Sequence, residues 1–451
     1  MDLSCFKAYD IRGRVPEDLN EEIAYSIGRA YVDEIGARTV VVGFDVRLES
    51  PKIAGALTRG LNDAGADVID IGLCGTEEVY FNTFHRQVDG GIMVTASHNP
   101  KGFNGMKLVR EESKPISGDT GLFAIRDRIL SGQFKPKAEV SGKTIQLHDK
   151  SDYIHHLLGY VNREALKPLK IVANPGNGGA GAVMHLLEKF LPFKVVHLND
   201  APDGDFPSGV PNPLLPENRA ATVAAVKANR ADLGLAWDGD FDRCFFFDAD
   251  GRFIEGYYLV GLLAEVVLGK HPGSKIIHDP RLTWNTIDQV LQAGGQPIQS
   301  KTGHAFIKER MRLEDAEYGG EMSAHHYFKD FAYCDSGMIP WLLIVDLMSR
   351  TGKTLASLVD ERMRAYPCSG EINFKVKNVG ESIEKVVSHF DGLSPQMDYT
   401  DGVSIEFDDW RFNLRGSNTE PLLRLNIETR KDSKMVQEKL ALIETLIEVK
   451  T

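Results

Sequence analysis

Strand-like and helix-like segments alternate through the first third of the chain, and this alternation restricts the possible folds more than any other feature. Residues 39–43 form a short apolar run typical of a buried strand, residues 53–61 carry apolar side chains at helical spacing, and residues 66–71 form a second strand-like run. A strand, a helix and a strand in succession predict a βαβ unit in a mostly parallel sheet. The chain therefore begins as an α/β protein.

Similar segments recur further along the chain. Strand-like runs at 170–173 and 275–278 begin a second and a third unit, whereas from residue 370 strands at 371–376, 403–407 and 422–427 precede a helical pattern at 435–447. A length of 451 residues allows about three or four domains. We expect three α/β domains and one α+β domain, with boundaries at 1–148, 149–252, 253–368 and 369–451.

Net charge and cysteine usage exclude several classes of protein. A formal charge of −12 argues against nucleic acid or an anionic membrane as partner. The five cysteines form no C-x-x-C pair, which argues against a zinc cluster or a disulfide framework and favours a reducing compartment. The first residues show no secretory pattern, and the apolar stretch at 338–345 is too short to span a bilayer and predicts a core helix. We expect a cytoplasmic protein.

A polar segment directly follows the strand-like run at 91–94. Ser97 and His98 lie there, in the sequence T-A-S-H-N-P at 95–100, and Pro100 biases Asn99 away from the helical conformation. Ligands of α/β folds bind at the carboxyl ends of strands. Ser97 is therefore a candidate nucleophile, and the alternative is an ordinary loop with a turn proline.

Three aspartates alternate in the sequence D-G-D-F-D-R at 238–243. In an extended loop the carboxylates of Asp238, Asp240 and Asp242 could converge, and such hard oxygen ligands suit Mg²⁺ or Ca²⁺. The spacing is also that of an EF-hand start, but Arg243 stands where the turn glycine is needed and Ala249 where the closing glutamate is needed. A metal site and a simple acidic turn remain the two interpretations.

Three other segments have a functional and a structural interpretation. The glycine-rich loop at 174–181, with Asp200 beyond it, fits a dinucleotide fingerprint or plain packing. The sequence R-G-S-N-T at 415–419 offers donors for a phosphate dianion, or a polar turn. Glu321, Ser323 and His325 alternate, so they share one side of an extended segment that could contact sugar hydroxyls or solvent.

The serine and aspartate motifs together resemble those of the α-D-phosphohexomutases. Further signatures of that family occur in its order: Y-D-I-R-G at 9–13, N-G-M-K at 104–107, K-T-G-H at 301–304, G-E-M-S-A-H at 320–325 and R-G-S-N-T-E-P at 415–421. The resemblance covers the whole chain and is greatest to the bacterial phosphomannomutases. It implies three related α/β domains with mixed sheets and a C-terminal α+β domain around a central cleft.

The resemblance also implies roles for individual residues. Ser97 would carry the phosphoryl group and, with Asp238, Asp240 and Asp242, bind Mg²⁺. Negative charge around the serine would be offset by His98, Lys107 and Arg243. The general base could be His325, Lys107 or Arg12. The implied substrate-binding residues are Arg281, Lys301, His304, Glu321, Ser323, His325, Arg415, Ser417, Asn418 and Thr419.

The implied activity is the interconversion of D-mannose 1-phosphate and D-mannose 6-phosphate through a hexose 1,6-bisphosphate, on the route to GDP-mannose and surface polysaccharide. Glucose phosphates are the alternative substrates, alone or together with mannose phosphates. A phosphosugar-binding protein without turnover is disfavoured because Ser97 and the aspartates are present, and a nucleotide-dependent enzyme because no Walker motif occurs. The expected partners are sugar phosphates, and we expect the protein to be a monomer or a dimer.

Overall fold

The computed structural model describes residues 3–416 and 422–447 and divides the chain into two compact units. The first unit comprises Met1–Phe253 and His325–Gly352, and the second comprises Ile254–Ala324 and Lys353–Thr451. Each unit is thus built from two separate stretches of chain.

The first unit opens with a mixed six-stranded sheet in the order β1-β5-β4-β2-β3-β6. Strand β2 pairs in parallel with β3 and β4, whereas β5 runs antiparallel to β1 and β4. Its elements are β1 (Ile11–Arg14), α1 (Glu21–Ile35), β2 (Thr39–Phe44), α2 (Ser50–Asp63), β3 (Asp67–Leu73), α3 (Thr76–His85), β4 (Gly90–Val94), β5 (Phe103–Arg110), α4 (Leu122–Ser131) and β6 (Thr144–Gln146).

Local sequence explains how α1 forms and packs. The side chain of Asn20 accepts a hydrogen bond from the main-chain N of Ile23 at the helix start, and Gly36 ends the helix with a φ of 73°. Helices α1 and α2 approach closely because Gly60 faces α1, where a Cβ would lie 2.1 Å from the carbonyl oxygen of Tyr25. The apolar faces of both helices join the buried core over this sheet.

A five-stranded sheet follows in the first unit, in the order β11-β10-β9-β7-β8. Strand β7 pairs in parallel with β8 and β9, and β9 forms an antiparallel hairpin with β10. The elements are α5 (Ser151–Leu158), β7 (Lys170–Asn174), α6 (Ala180–Leu187), β8 (Lys194–His197), α7 (Ala220–Asn229), β9 (Leu233–Trp237), β10 (Cys244–Phe247) and the short β11 (Phe253–Ile254).

The second unit begins with α/β structure. Strand β12 pairs in parallel with both β13 and β14, and helix α8 is apolar nearly all round, so that most of its residues are buried. The elements are α8 (Gly256–Lys270), β12 (Lys275–His278), α9 (Trp284–Gln292), β13 (Gln296–Gln299), α10 (His304–Glu314) and β14 (Tyr318–Gly320).

The chain then returns to the first unit for one hairpin and one helix. Strands β15 (His326–Phe328) and β16 (Cys334–Asp335) pair antiparallel, and α11 (Ile339–Thr351) follows. Nearly all residues of α11 from Ile339 to Ser349 are buried, which confirms the core helix predicted from the apolar stretch at 338–345.

The second unit ends in α+β structure. Its antiparallel sheet has the order β17-β21-β20-β19-β18, and two helices pack on it over a core that includes Phe390, Phe412 and Ile443. The elements are α12 (Leu355–Ala365), β17 (Cys368–Lys375), α13 (Val379–Asp391), β18 (Gln396–Asp398), β19 (Val403–Glu406), β20 (Trp410–Gly416), β21 (Leu422–Thr429) and α14 (Ser433–Leu446).

The predicted fold class is confirmed: three α/β regions with mixed or parallel sheets precede an α+β region. The sequence patterns did not identify β20 or α13. Among the residues that the structure describes, no helix has the length and apolar character needed to cross a membrane.

Candidate active site

The loop after β4 holds Ser97 in an unusual backbone conformation. Ser97 has a φ of 49°, in the left-handed region that non-glycine residues rarely adopt, and its side chain is almost fully buried. Its main-chain N donates a 2.8 Å hydrogen bond to the Thr95 hydroxyl, which in turn donates to Asp45 at 2.7 Å. Because β2 and β4 are parallel neighbours, Asp45 and Thr95 leave the sheet at the same edge.

Arg47 fixes the course of this loop through the main chain. Its guanidinium is buried, lies 3.4 Å from the Asp45 carboxylate, and donates four hydrogen bonds of 2.6–3.0 Å to main-chain carbonyls. Those carbonyls belong to Ser97, Asn99, Pro100 and Phe103. A planar fork with several donors suits this task better than an ammonium group would.

The aspartate motif forms the turn of the β9–β10 hairpin and meets the serine loop directly. The Ser97 hydroxyl donates a 2.7 Å hydrogen bond to Oδ2 of Asp238. Position 239 must be glycine for this approach, because a Cβ there would lie 2.7 Å from the carbonyl oxygen of Ser97. The two motifs that are 141 residues apart in sequence therefore form one cluster.

Cationic side chains surround the cluster. Lys107, on β5, lies 2.7 Å from Oδ2 of Asp240 and also contacts Asp242. Arg243 lies 2.6 Å from Oδ2 of Asp238, and its guanidinium approaches both the Ser97 hydroxyl and Nδ1 of His98. These groups can neutralise negative charge that develops beside the Ser97 hydroxyl.

The three aspartates are buried together, and their ligand oxygens lie within 4.8 Å of one another. Burial opposes ionisation of Asp240, yet the Lys107 ammonium holds the pKa of its carboxyl well below the usual value. Burial raises the pKa of Asp238 and of Asp242, and the neighbouring carboxylates raise both further. Ionising all three carboxylates without a further cation beside them would cost considerable free energy.

Two buried oxygens of the cluster, Oδ1 of Asp240 and Oδ1 of Asp242, receive no hydrogen bond from the residues that the structure describes. Orphaned carboxylate oxygens within reach of a third carboxylate are the donor set that a hard divalent cation prefers. The residues therefore fit the magnesium ion expected from the sequence.

The structure also places the candidate bases near the serine motif. Nε2 of His325 lies 3.7 Å from Oδ1 of Asp242, and Arg12 donates at 2.7 Å to both Asp10 and Asn99. The Asp240 and Asp242 carboxylates raise the pKa of Lys107 even though burial opposes its charge. The contacts of Lys107 with these two carboxylates thus favour its charged form.

The second unit contains a separate cluster of arginines around Glu371. Its carboxylate lies 3.1 Å from Arg415, 3.3 Å from Arg424 and 3.5 Å from Arg281. Burial and the other arginines lower the pKa of Arg415, whereas Asp279, 2.8 Å away, raises the pKa of Arg281 against its burial. An arginine cluster of this kind suits a phosphate dianion.

The remaining predicted sugar contacts of the second unit lie near these arginines or on the α10 loop. Arg281 approaches Ser323 at 3.3 Å and Glu321 at 3.6 Å, and Glu321 accepts a 3.0 Å hydrogen bond from the main-chain N of Gly303. Lys301 and His304 flank that glycine, and Lys301 is exposed. Ser417, Asn418 and Thr419 lie outside the described residues.

The glycine-rich loop at 174–181 packs against the aspartate motif. The main-chain N of Gly179 donates to the carbonyl of Gly239 at 3.3 Å, and a Cβ on Gly178 would lie 2.9 Å from that same oxygen. Packing therefore accounts for these glycines, which supports the structural interpretation over nucleotide binding.

Several residues that support the site are not indicated by any sequence pattern described above. Thr76 donates a 2.5 Å hydrogen bond to Asp240, and Asp335 offers a ligand atom within 4.8 Å of Asp242 and His325. Asp45 had a usable signal, since it follows the strand-like run at 39–43 at the edge where ligands bind. Nothing in the sequence pattern pointed to Arg47 or Glu371.

Family models match four consecutive stretches of the chain. Three are described as phosphoglucomutase/phosphomannomutase alpha/beta/alpha domains I, II and III, matching residues 4–136, 151–251 and 255–366, and the fourth as the C-terminal domain, matching residues 371–444.

Proteins of known name resemble the chain over nearly its full length. A protein of Xanthomonas campestris pv. campestris named "Phosphohexose mutases" is 60% identical over 450 residues, covering 99% of this chain and 100% of that one. A phosphomannomutase of Escherichia coli strain K12 is 57% identical over 451 residues, covering 99% of each. The crystal structure of a phosphoglucomutase/phosphomannomutase family protein from Burkholderia thailandensis has a TM-score of 0.88 at 34% identity, covering 98% of this chain and 97% of that one.

Proposed function

The chain belongs to the phosphoglucomutase/phosphomannomutase family, and on that premise we propose that it interconverts D-mannose 1-phosphate and D-mannose 6-phosphate. It is a phosphohexomutase, an isomerase that moves a phosphoryl group within its substrate. The observation that carries the phosphoryl-transfer part of the proposal is the 2.7 Å contact of Ser97 with Asp238 inside a buried cluster of carboxylates and cations. The choice of mannose phosphates rests on the likeness to the phosphomannomutases.

Ser97 is proposed to carry a phosphoryl group in the active enzyme. The free hydroxyl of the sugar phosphate attacks phosphorus and loses its proton to a base, the bond from phosphorus to Ser97 Oγ breaks, and the serine oxygen takes up a proton, which leaves a hexose 1,6-bisphosphate. After the bisphosphate reorients, Ser97 Oγ loses its proton and attacks the other phosphate, and the oxygen of the isomeric monophosphate leaves and takes up a proton. Lys107, Arg243 and His98 position and neutralise the group in transfer, which is the main demand of phosphoryl transfer.

We propose His325 as the base that takes the proton of the attacking hydroxyl. Lys107 is held as an ammonium between two carboxylates, and Arg12 is a permanently charged guanidinium paired with Asp10. An imidazole can accept a proton near neutral pH, and His325 lies beside Asp242.

Asp238, Asp240, Asp242 and the serine oxygen would hold Mg²⁺, which, when bound, acts as a Lewis acid on phosphoryl oxygens. The orphaned oxygens of Asp240 and Asp242 support this assignment. The carboxylates themselves keep Lys107 and Arg243 in place around the serine.

The second unit is proposed to recognise the substrate. The phosphate that is not being transferred would be bound by Arg281 and Arg415, together with Ser417, Asn418 and Thr419. This phosphate would replace the Glu371 carboxylate beside the guanidinium groups. Within that unit, Glu321 and Ser323 would bind ring hydroxyls, and Lys301 and His304 would complete the contacts. The further candidate for a sugar contact, His325, belongs to the first unit. In this proposal each of the four domains has one role. Residues 1–148 carry the phosphoserine, residues 149–252 bind the metal, residues 253–368 recognise the sugar and residues 369–451 bind the phosphate.

The proposal extends to the cellular role. Mannose 1-phosphate is the precursor expected for GDP-mannose and surface polysaccharide, and all five cysteines are free thiols, which fits a reducing cytoplasm. The partners are proposed to be sugar phosphates, with the enzyme acting as a monomer or dimer.

One observation favours a second candidate, a mutase of dual specificity. The relative at 60% identity is named for phosphohexoses in general, whereas the relative at 57% identity is named for mannose. Mannose and glucose differ only at C2, so selection depends on how one hydroxyl is bound.

The test compares kcat/KM for mannose 1-phosphate and glucose 1-phosphate at a fixed bisphosphate concentration. We expect the mannose phosphate to be preferred; equal values would establish dual specificity, and preference for glucose would contradict the proposal. In parallel, peptide mass spectrometry should locate the phosphate on Ser97. Ser97→Ala should lose nearly all turnover, and Ser131→Ala, at an exposed serine, should lose none.

A further inference from the structure

Four metal-ligating side chains cluster in the first unit without belonging to the serine or aspartate motifs. His185 lies on α6, Glu188 follows the end of that helix, His197 is the last residue of β8, and Asp200 lies just beyond. They join the end of a helix to an edge strand of the sheet.

Glu188 bridges the two imidazoles. Its Oε1 lies 3.1 Å from Nδ1 of His185 and its Oε2 lies 2.9 Å from Nε2 of His197. The imidazole rings stack with centroids 4.0 Å apart, and Oδ2 of Asp200 lies 2.8 Å from Nε2 of His185.

We propose that His185 Nδ1, Glu188 and His197 Nε2 form a binding site for one divalent transition-metal ion of the Zn²⁺ class. The three candidate ligand atoms already lie within 4.8 Å of one another. Ligands about 2.0–2.1 Å from a tetrahedral ion are separated by roughly 3.3–3.5 Å. Because an imidazole binds metal in its own ring plane, the two stacked rings must also turn out of their present stacking when the ion binds. Imidazole nitrogens and one carboxylate are the ligand types that zinc prefers over magnesium.

Asp200 supplies the outer partner that such sites use. A histidine that binds metal through one ring nitrogen generally donates the other N–H to a carboxylate, which fixes the tautomer and the ring orientation. With Nδ1 of His185 on the metal, its Nε2–H would donate to Asp200, which already lies at hydrogen-bond distance.

The ion would link α6 to β8 and leave a fourth position to water. This ligand set of two imidazoles and one carboxylate differs from the all-oxygen ligand set of Asp238, Asp240 and Asp242, which suits magnesium. The metal would stabilise the folded first unit because it binds the folded arrangement in preference to the unfolded chain.

Cobalt(II) is the probe, since four-coordinate cobalt with histidine ligands absorbs visible light far more strongly than six-coordinate cobalt bound to oxygen. The full-length protein, stripped of metal and returned to excess Mg²⁺, is titrated with Co²⁺ and then with Zn²⁺. We expect an intense band that saturates at one equivalent and is removed by Zn²⁺. Zinc should also raise the melting temperature.

Variants assign the band to the cluster. His197→Gln and the more exposed His185→Asn should each abolish it, and Asp200→Asn should weaken Co²⁺ binding by about 10–100-fold. His148→Gln changes an exposed histidine of the same unit outside the cluster and should leave the band unchanged. Turnover with Mg²⁺ and circular dichroism establish that each variant is folded.

Two results would overturn the proposal. One is a wild-type titration that gives only the weak six-coordinate spectrum, in which case the cluster is a network of ion pairs between histidines and carboxylates. The other is an intense band that persists unchanged in both His185→Asn and His197→Gln, which would place the metal elsewhere.

Discussion

The guanidinium of Arg47 donates a 2.8 Å hydrogen bond to the main-chain carbonyl of Ser97, fifty residues further along the chain. Since the same guanidinium binds the carbonyls of Asn99, Pro100 and Phe103, it fixes the left-handed backbone at Ser97. Arg47 thus acts on the serine through its backbone and is a positioning residue.

Arg47→Lys should lower kcat by about a hundredfold, because an ammonium cannot hold all four carbonyls and a shift of about 1 Å at a reacting group can cost that much. KM should change much less, since Arg47 binds no substrate group in the proposed mechanism. The exposed Arg38→Ala is the matched control and should leave kcat unchanged. A folded Arg47→Lys variant with normal kcat would show that the loop is held by other contacts.

Removal of the divalent cation should abolish turnover, and Mg²⁺ should restore it, because the carboxylates of Asp238, Asp240 and Asp242 are buried together. Asp240→Asn should weaken Mg²⁺ binding and slow transfer. It also removes one of the two carboxylates that contact Lys107, so the pKa of Lys107 should fall. Asp250→Asn, at an exposed position after the same hairpin, is the control. Full activity in excess EDTA would contradict the magnesium assignment.

Arg415→Ala should weaken binding of either sugar monophosphate about ten- to a hundredfold, because hydrogen bonds to charged groups contribute roughly 1.5–3 kcal/mol. The change should appear in KM more than in kcat. Arg364→Ala removes an exposed arginine of the same unit and should leave KM unchanged. An unaltered KM in Arg415→Ala would remove Arg415 from the phosphate site.

Buried Glu77 should make stability depend on pH. Burial raises the pKa of its carboxyl from 4.5 to about 8, although its carboxylate accepts hydrogen bonds from Tyr153 and the main-chain N of Gly337. Between those pH values the unfolded chain binds fewer protons at this site than the folded protein does. The contribution of Glu77 to stability is therefore full below about pH 4.5 and is lost as pH rises to about 8.

Glu77→Gln keeps a neutral side chain of the same shape, so it should be more resistant to urea than the wild type by a margin that grows from pH 5 to pH 8. Within that window, the difference in the free energy of unfolding between the variant and the wild type should grow by up to about 1.4 kcal/mol per pH unit. Exposed Glu17→Gln should follow the wild-type profile. If the difference in the free energy of unfolding between Glu77→Gln and the wild type stays constant across this pH range, Glu77 does not titrate as stated.

Local patterns were sufficient for most regular elements. The apolar runs at 39–43, 170–173 and 275–278 became β2, β7 and β12, because buried strands need little beyond apolar, β-branched side chains. Strand β20 was missed because its sequence, W-R-F-N-L-R-G, has arginines and an asparagine at buried positions, where tertiary partners satisfy them. Polar residues of this kind carry no strand signal by themselves.

The amino-acid sequence by itself determined the family, the fold class and the identity of the motif residues, because these depend on patterns that lie within a few residues of each other. Tertiary structure alone decided that Asp238 meets Ser97, that Lys107 lies between the carboxylates of Asp240 and Asp242, and that Glu371 lies among three arginines. Those contacts join residues far apart in the chain, and pKa values depend on the burial and charge that such contacts create. No local pattern encodes them.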